Sequence, residues 1–193
     1  MRRIAILAAV ALGCICAQSS IATASDTNNT LFTSDFETPA GEPGQLPESW
    51  ELFTSKLPCI GTEPSQRRSG LQSVKFTAQR IKDAHAGLFV KMPVDPRKKY
   101  IFSAHVMNSP LTPLSRSAYG QLGIEWHDAK GKEINRTLSD NWDDKTSRNR
   151  WEFFQIKTDP PPTATDAHFV IYIYDGDKGD GSFLLDDVSI EER

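Results

Sequence analysis

The chain has 193 residues, enough to bury one proper core, and an ordinary globular apolar content of 38%. Its formal charge of −3 lacks the basic excess that a nucleic-acid partner leaves on a sequence.

Residues 1–24 read as a secretory signal peptide. "MRR" is a basic start, and "IAILAAVALGCICA" is apolar but too short to span a bilayer. Ala22 and Ala24 then stand at cleavage spacing before Ser25. The expectation is a secreted or periplasmic protein with no transmembrane segment. "VALGC" is also similar to a bacterial lipobox, which would anchor the chain through Cys14, although Ala11 stands where Leu is usual. After cleavage Cys59 is the only cysteine, so no internal disulfide is available. One Cys and four His are poor material for a zinc site.

Residues 25–30 are polar and read as a flexible lead-in, and 31–193 as one domain. There, short β-branched and aromatic runs alternate with Gly, Pro, Asn and Asp clusters. In chain order the predicted strands are "LFTSDFE", "WELFT", "LQSVKFTA", "GLFVKMPV" and "KYIFSAHVM". "YGQLGIEWHD", "WEFFQIKT", "AHFVIYIYD" and "SFLLDDVSI" follow. "DAKGKE" is a hairpin turn, and "TDPPPTATDA" reads as a rigid crossover. This pattern predicts an all-β antiparallel β-sandwich, or jelly roll.

Alternation sorts the faces. Tyr100, Phe102, Ala104 and Val106 share one side of their strand, with His105 on the other. Leu122, Ile124 and Trp126 oppose Tyr119, Gln121, Glu125 and His127. Phe169, Ile171 and Ile173 oppose Val170, Tyr172 and Tyr174. The second faces mix aromatics with hydrogen-bonding groups. That mixture is either an ordinary solvated sheet face or a platform for sugars, whose C–H patches meet rings and whose hydroxyls meet polar side chains. Trp50, Trp126 and Trp151 read as core. Trp142 lies in a polar loop, where it either stacks on a ligand or folds back over the sheet edge. His127, near the hairpin, reads as solvated.

The ending "DGDKGDGSFLLDDVSIEER" invites a calcium-loop reading. An EF-hand beginning at Asp175 would put Gly179 and Asp180 where the loop needs an oxygen ligand and a glycine, so the first part reads as turn chemistry. Asp186 and Asp187 are adjacent in a strand and face opposite ways, so they do not form a catalytic pair. Asp186 shares the alternation of Val188 and Ile190 and is expected to point inward. A buried carboxylate there needs either a metal or backbone N–H partners.

Six motifs run in order along the domain: "TSDFETP", "GQLPESWELF", "RRSGLQSVKF", "MPVDPRKKYIFSAHV", "IEWHDAKGKEI" and "SFLLDDVSI". Together they resemble the carbohydrate-binding modules of families four and nine, jelly rolls of the galactose-binding-domain-like kind. Arg97 and Lys98 depart from the Gly-Lys usual in that turn. The resemblance implies a non-catalytic, monomeric module that binds a polysaccharide or oligosaccharide. Its sugar would stack on Tyr119, Tyr172 or Tyr174, with Gln121, Glu125 and His105 as polar partners and Trp142 as a loop contact. It also implies a structural calcium between the first and last strands, held by Glu37 and Asp186, with Asp35 and the Ser69 region as further donors. The alternatives are an interaction domain of the same fold without sugar binding, and a small polysaccharide-degrading hydrolase or lyase.

Overall fold

The computed structural model describes residues 29–39, 43–55 and 59–193. The signal peptide, Cys14 and most of the lead-in lie outside the described residues. Asn29 and Thr30, expected in the lead-in, open the first strand and pair with Glu192 and Glu191.

Eleven strands and no helix make up the regular structure of the described residues. They are β1 (Asn29–Ser34), β2 (Glu51–Thr54), β3 (Ile60–Glu63), β4 (Ser73–Thr77), β5 (His85–Pro93) and β6 (Tyr100–Asn108). β7 (Tyr119–His127), β8 (Glu133–Leu138), β9 (Glu152–Thr158), β10 (Asp166–Tyr174) and β11 (Ser182–Glu192) complete the set. One sheet has the order β3-β4-β11-β6-β9, with β1 also on β11. The other has the order β2-β5-β10-β7-β8. All the ladders are antiparallel. β3 and β8 are additions to the predicted set. β3 carries Gly61 and Thr62 in four residues, and β8 is mostly polar, so neither presents an apolar run.

The core lies between the sheets and follows the period-2 division. Phe102 meets Phe169 edge-on at 5.5 Å, and Tyr100 meets Trp126 at 5.9 Å. Phe76 and Phe183 stack at 4.6 Å. Fully burying each such ring contributes about 1.5–3 kcal/mol. Trp50 and Trp126 are core, as expected, whereas Trp151 is only partly buried.

Trp142 is 0% exposed and belongs to this core, so it is no sugar contact. Its backbone bridges to Gly120, and its ring packs edge-on against Phe154 and Phe183, each at 5.1 Å. Gly120 makes the room: a Cβ there would fall against the indole nitrogen and within 2.5 Å of Cε2. The residues 159–165 cross from β9 in one sheet to β10 in the other, as the proline run predicts.

Candidate functional site

The outward face of the β2-β5-β10-β7-β8 sheet carries most of the predicted sugar contacts. Strand register builds it in rows. His85, Tyr174 and Tyr119 form one end. Phe53, Gly87, Tyr172 and Gln121 form the next row. Then come Phe89, Val170, Gly123 and Leu138, followed by Lys91, His168, Glu125 and Arg136. Asp166 and His127 lie at the far end.

Tyr119 and Tyr174 stack at 4.8 Å, and Tyr174 stacks on Tyr172 at 5.3 Å. Phe53 meets Tyr172 edge-on at 5.8 Å. Tyr119, Tyr174 and Phe53 are half-buried, so each has ring area exposed. Tyr172 is 3% exposed and supports its neighbours rather than offering a platform. Gly123 permits this, because a Cβ there would stand 2.6 Å from the Tyr172 ring. A cavity of about 230 Å³ opens between Phe53, Phe89, Val170, His168 and Glu125.

Glu125 is the polar hub. It accepts a hydrogen bond from the Tyr172 hydroxyl, and its Oε1 pairs with Arg136 at 2.9 Å. Arg136 also donates to both carboxylate oxygens of Glu133 and lies 5.7 Å over the Tyr172 ring. Burial first, and then the bond to Glu125, pushes the Tyr172 hydroxyl well above its ordinary range. Burial also pushes Tyr174 up to about 12, so both phenols stay neutral donors. Gln121 donates from Nε2 to the Ser139 carbonyl at 3.0 Å. His168 is held below its ordinary pKa by burial and by His127. His127 itself is 8% exposed, not solvated, because it packs on His168 with ring centroids 4.0 Å apart.

His105 does not belong to this face. It lies on β6, in the opposite sheet, against Phe153 at 5.1 Å. Alternation gave its side of the strand but not its sheet. Phe53, Phe89, His168 and Arg136 were missed as site residues. They sit on β2, β5, β10 and β8, and only cross-strand register brings them together.

The acidic residues at the end of the chain form a separate knot. β6 takes one edge of β11 along its length, so β4 and β1 share the other edge at Ser182–Leu185 and Val188–Glu192. Asp186 and Asp187 sit between them, at a bulge, with Asp187 at φ 48°. The bulge shifts the alternation. Asp186 pairs with His105 and shares its outward side, instead of pointing inward with Val188 and Ile190. It is nevertheless fully buried, beneath the 68–72 loop.

That loop turns N–H groups toward both predicted calcium carboxylates. Asp186 Oδ2 accepts from Arg68 N at 2.9 Å and Ser69 N at 3.3 Å, and Oδ1 from Asp187 N at 2.8 Å. Glu37 accepts from Leu71 N at 3.0 Å and Gln72 N at 3.2 Å. Asp35 Oδ1 accepts from Glu37 N at 3.3 Å. Arg68's guanidinium goes to Asp187, as does the Ser69 hydroxyl, at 2.9 Å for the latter. Burial pushes the Asp186 carboxyl up to about 6. Hard oxygen donors and a buried carboxylate suit calcium. The N–H groups directed at the same oxygens suit the alternative, in which both carboxylates cap a loop. Within the preceding turn Asp180 Oδ1 accepts from Gly181 N at 2.7 Å, whereas Asp175 reaches another loop, its Oδ2 accepting from Gln79 N and Ile81 N at 2.8 and 3.0 Å.

By sequence, the chain matches no family model and no curated protein. By structure, it is similar to the CBM22-1 xylan-binding domain of Paenibacillus barcinonensis Xyn10C, with a TM-score of 0.60 and 16% identity. That match covers 88% of this chain and 97% of the other. The C-terminal family 22 carbohydrate-binding module of Clostridium thermocellum Xyn10B matches with a TM-score of 0.53 and 17% identity, over 86% and 96% of the two chains. The enzymatically active domain of bacteriophage CBA120 tailspike protein 4 matches with a TM-score of 0.54 and 13% identity, over 74% of this chain. This chain spans only 19% of that tailspike. At these identities the likeness is one of fold. The two modules are of family 22, not four or nine.

Proposed function

We propose that the protein is a secreted, non-catalytic module that binds a polysaccharide or oligosaccharide across the outward face of the β2-β5-β10-β7-β8 sheet. The observation that carries the reading is the run of exposed ring area at Tyr119, Tyr174 and Phe53, adjoining the polar group of Gln121, Glu125 and Arg136. Rings take the apolar face of a pyranose, and the polar groups take its hydroxyls. Such an open surface buries modest area, so affinity falls in the micromolar to millimolar range, about −4 to −8 kcal/mol. Secretion rests on the signal-peptide pattern of residues 1–24. The test is affinity electrophoresis over a panel of polysaccharides that includes xylan, with reducing-sugar release measured in parallel. Retardation without release supports the module. Release would favour a hydrolase, and no retardation on any glycan would favour an interaction domain.

Calcium stabilisation through Glu37 and Asp186, with Asp35 and Ser69 nearby, is part of the same reading. The full burial of the Asp186 carboxylate, which no cationic side chain pairs among the described residues, supports it. If calcium is held there, chelator lowers the melting temperature by several degrees and Asp186→Ala removes that sensitivity. An unchanged melt in chelator leaves the N–H groups as the sole partners of these carboxylates.

A further inference from the structure

Two of the chain's four histidines meet at the far end of the sheet face, beside Glu125. Among the described residues, Glu125, His127 and His168 form the one group of three such side chains whose ligand atoms all lie within 4.8 Å of one another. They come from facing positions of neighbouring strands. His168 pairs with Glu125 across β10 and β7, and His127 lies two residues along β7 on the same side.

We propose that Glu125, His127 and His168 form a binding site for a divalent transition-metal ion, with zinc as the natural occupant. Donors about 2.1 Å from a tetrahedral zinc stand about 3.4 Å apart. His168 Nδ1 and Glu125 Oε2 are 3.6 Å apart, already close to that edge and long for a direct hydrogen bond. The His127 ring is oriented by its own backbone: Nδ1 lies 3.1 Å from the Glu125 carbonyl. Donation from Nδ1–H to that oxygen leaves Nε2 with its lone pair free, the arrangement in which a backbone carbonyl fixes the tautomer of a ligating histidine.

Glu125 divides its work between two oxygens. Oε1 takes Tyr172 and Arg136, while Oε2 faces His168. The local charge tolerates a cation. Arg136 is shared with Glu133, and Lys91, beside His168, pairs with Glu51 at 3.7 Å. Asp166 stands opposite His127. Three protein ligands leave a fourth position for water or a hydroxyl of a bound molecule. Imidazole and carboxylate together favour zinc, nickel or copper over calcium. The histidine count of the whole sequence reads against zinc, but a count does not show which strands meet, and the β7–β10 ladder brings His127 and His168 together. This inference does not rest on sugar binding.

The test is calorimetric titration of the tag-free mature protein with Zn²⁺ near neutral pH, paired with Co²⁺ titration read from its visible absorption band. One saturable site is expected, and His168→Ala weakens it about 100-fold or more, given that loss of mere supporting groups costs 10–100-fold. His127→Ala has the same effect. Should that buried substitution unfold the chain, the half-buried His168 carries the test alone. His105→Ala, in the other sheet, leaves binding unchanged. Absence of a saturable site, or binding that survives His168→Ala, overturns the proposal. Glycan retardation is measured separately in chelator, so its failure leaves this result untouched.

Discussion

Trp142→Ala separates what the loop sequence suggests from what the packing requires. The indole is fully buried against Phe154 and Phe183, so truncation opens a large cavity in the core. Trp→Ala changes in cores cost about 3–5 kcal/mol. Its Nε1–H has no hydrogen-bond partner, so no bond is lost with the ring and the lower part of that range, about 3–4 kcal/mol, applies. In a domain of this size each kcal/mol moves the melting temperature by about 2–4 °C, giving a fall of about 6–16 °C. The assay is thermal melting by circular dichroism, with affinity electrophoresis run well below the transition. The expected result is a large stability loss with glycan retardation intact. Trp142→Phe keeps a ring in the pocket and removes the unpaired donor, so it costs less than Trp142→Ala. Lost retardation at an unchanged melting temperature would refute the buried placement.

Tyr174→Ala and Tyr119→Ala should each weaken glycan binding by about 1–2 kcal/mol, or about five- to thirty-fold, measured by retardation against ligand concentration. Gly120→Ala forces a Cβ against Trp142 and should cost about 1–3 kcal/mol in a thermal melt, with no change in glycan affinity. Asp186 predicts a pH dependence in chelator. Its folded pKa, about 6, is raised above the ordinary 3.8 because burial disfavours the charge. Its contribution is therefore present in full below the unfolded pKa and is lost as pH rises through about 6, by up to about 3 kcal/mol. The metal-free protein should melt lower at about pH 8 than at about pH 5, and Asp186→Asn should flatten that difference. Bound calcium would reverse the sign, because it holds the deprotonated form.

The faces of individual strands were legible because period 2 is a local property. Phe169, Ile171 and Ile173 are core, and Tyr172 and Tyr174 are not on that side, as alternation alone requires. Which strands share a sheet is not local. β6 follows β5 directly in the chain yet lies in the other sheet, and this carries His105 away from the tyrosines. The bulge at Asp186 was equally hidden. It inserts one residue in the alternation, and "LLDDVSI" reads the same with or without it. Trp142 misled for a related reason. Its neighbours Asn141, Asp143 and Asp144 are polar, but the cavity that receives the ring is made by Gly120, more than twenty residues earlier.

Glu125 links the two proposed activities of the sheet face, and its geometry indicates how they coexist. The carboxylate that orders Tyr172 and Arg136 through Oε1 presents Oε2 toward His168. A metal on Oε2 would leave the Oε1 contacts in place, so occupancy need not disturb the support of the stacked tyrosines. It would tether His168, which stacks on Phe89 at 5.4 Å, and so fix one wall of the adjoining cavity. A sugar lying over Tyr119 and Tyr174 touches the opposite end of the face. Metal should therefore change glycan affinity only for ligands long enough to reach the Phe89–His168 cavity. Retardation of a short and a long oligosaccharide, each with and without Zn²⁺, reads that difference directly. An equal effect on both lengths would mean that the two ends of the face do not act separately.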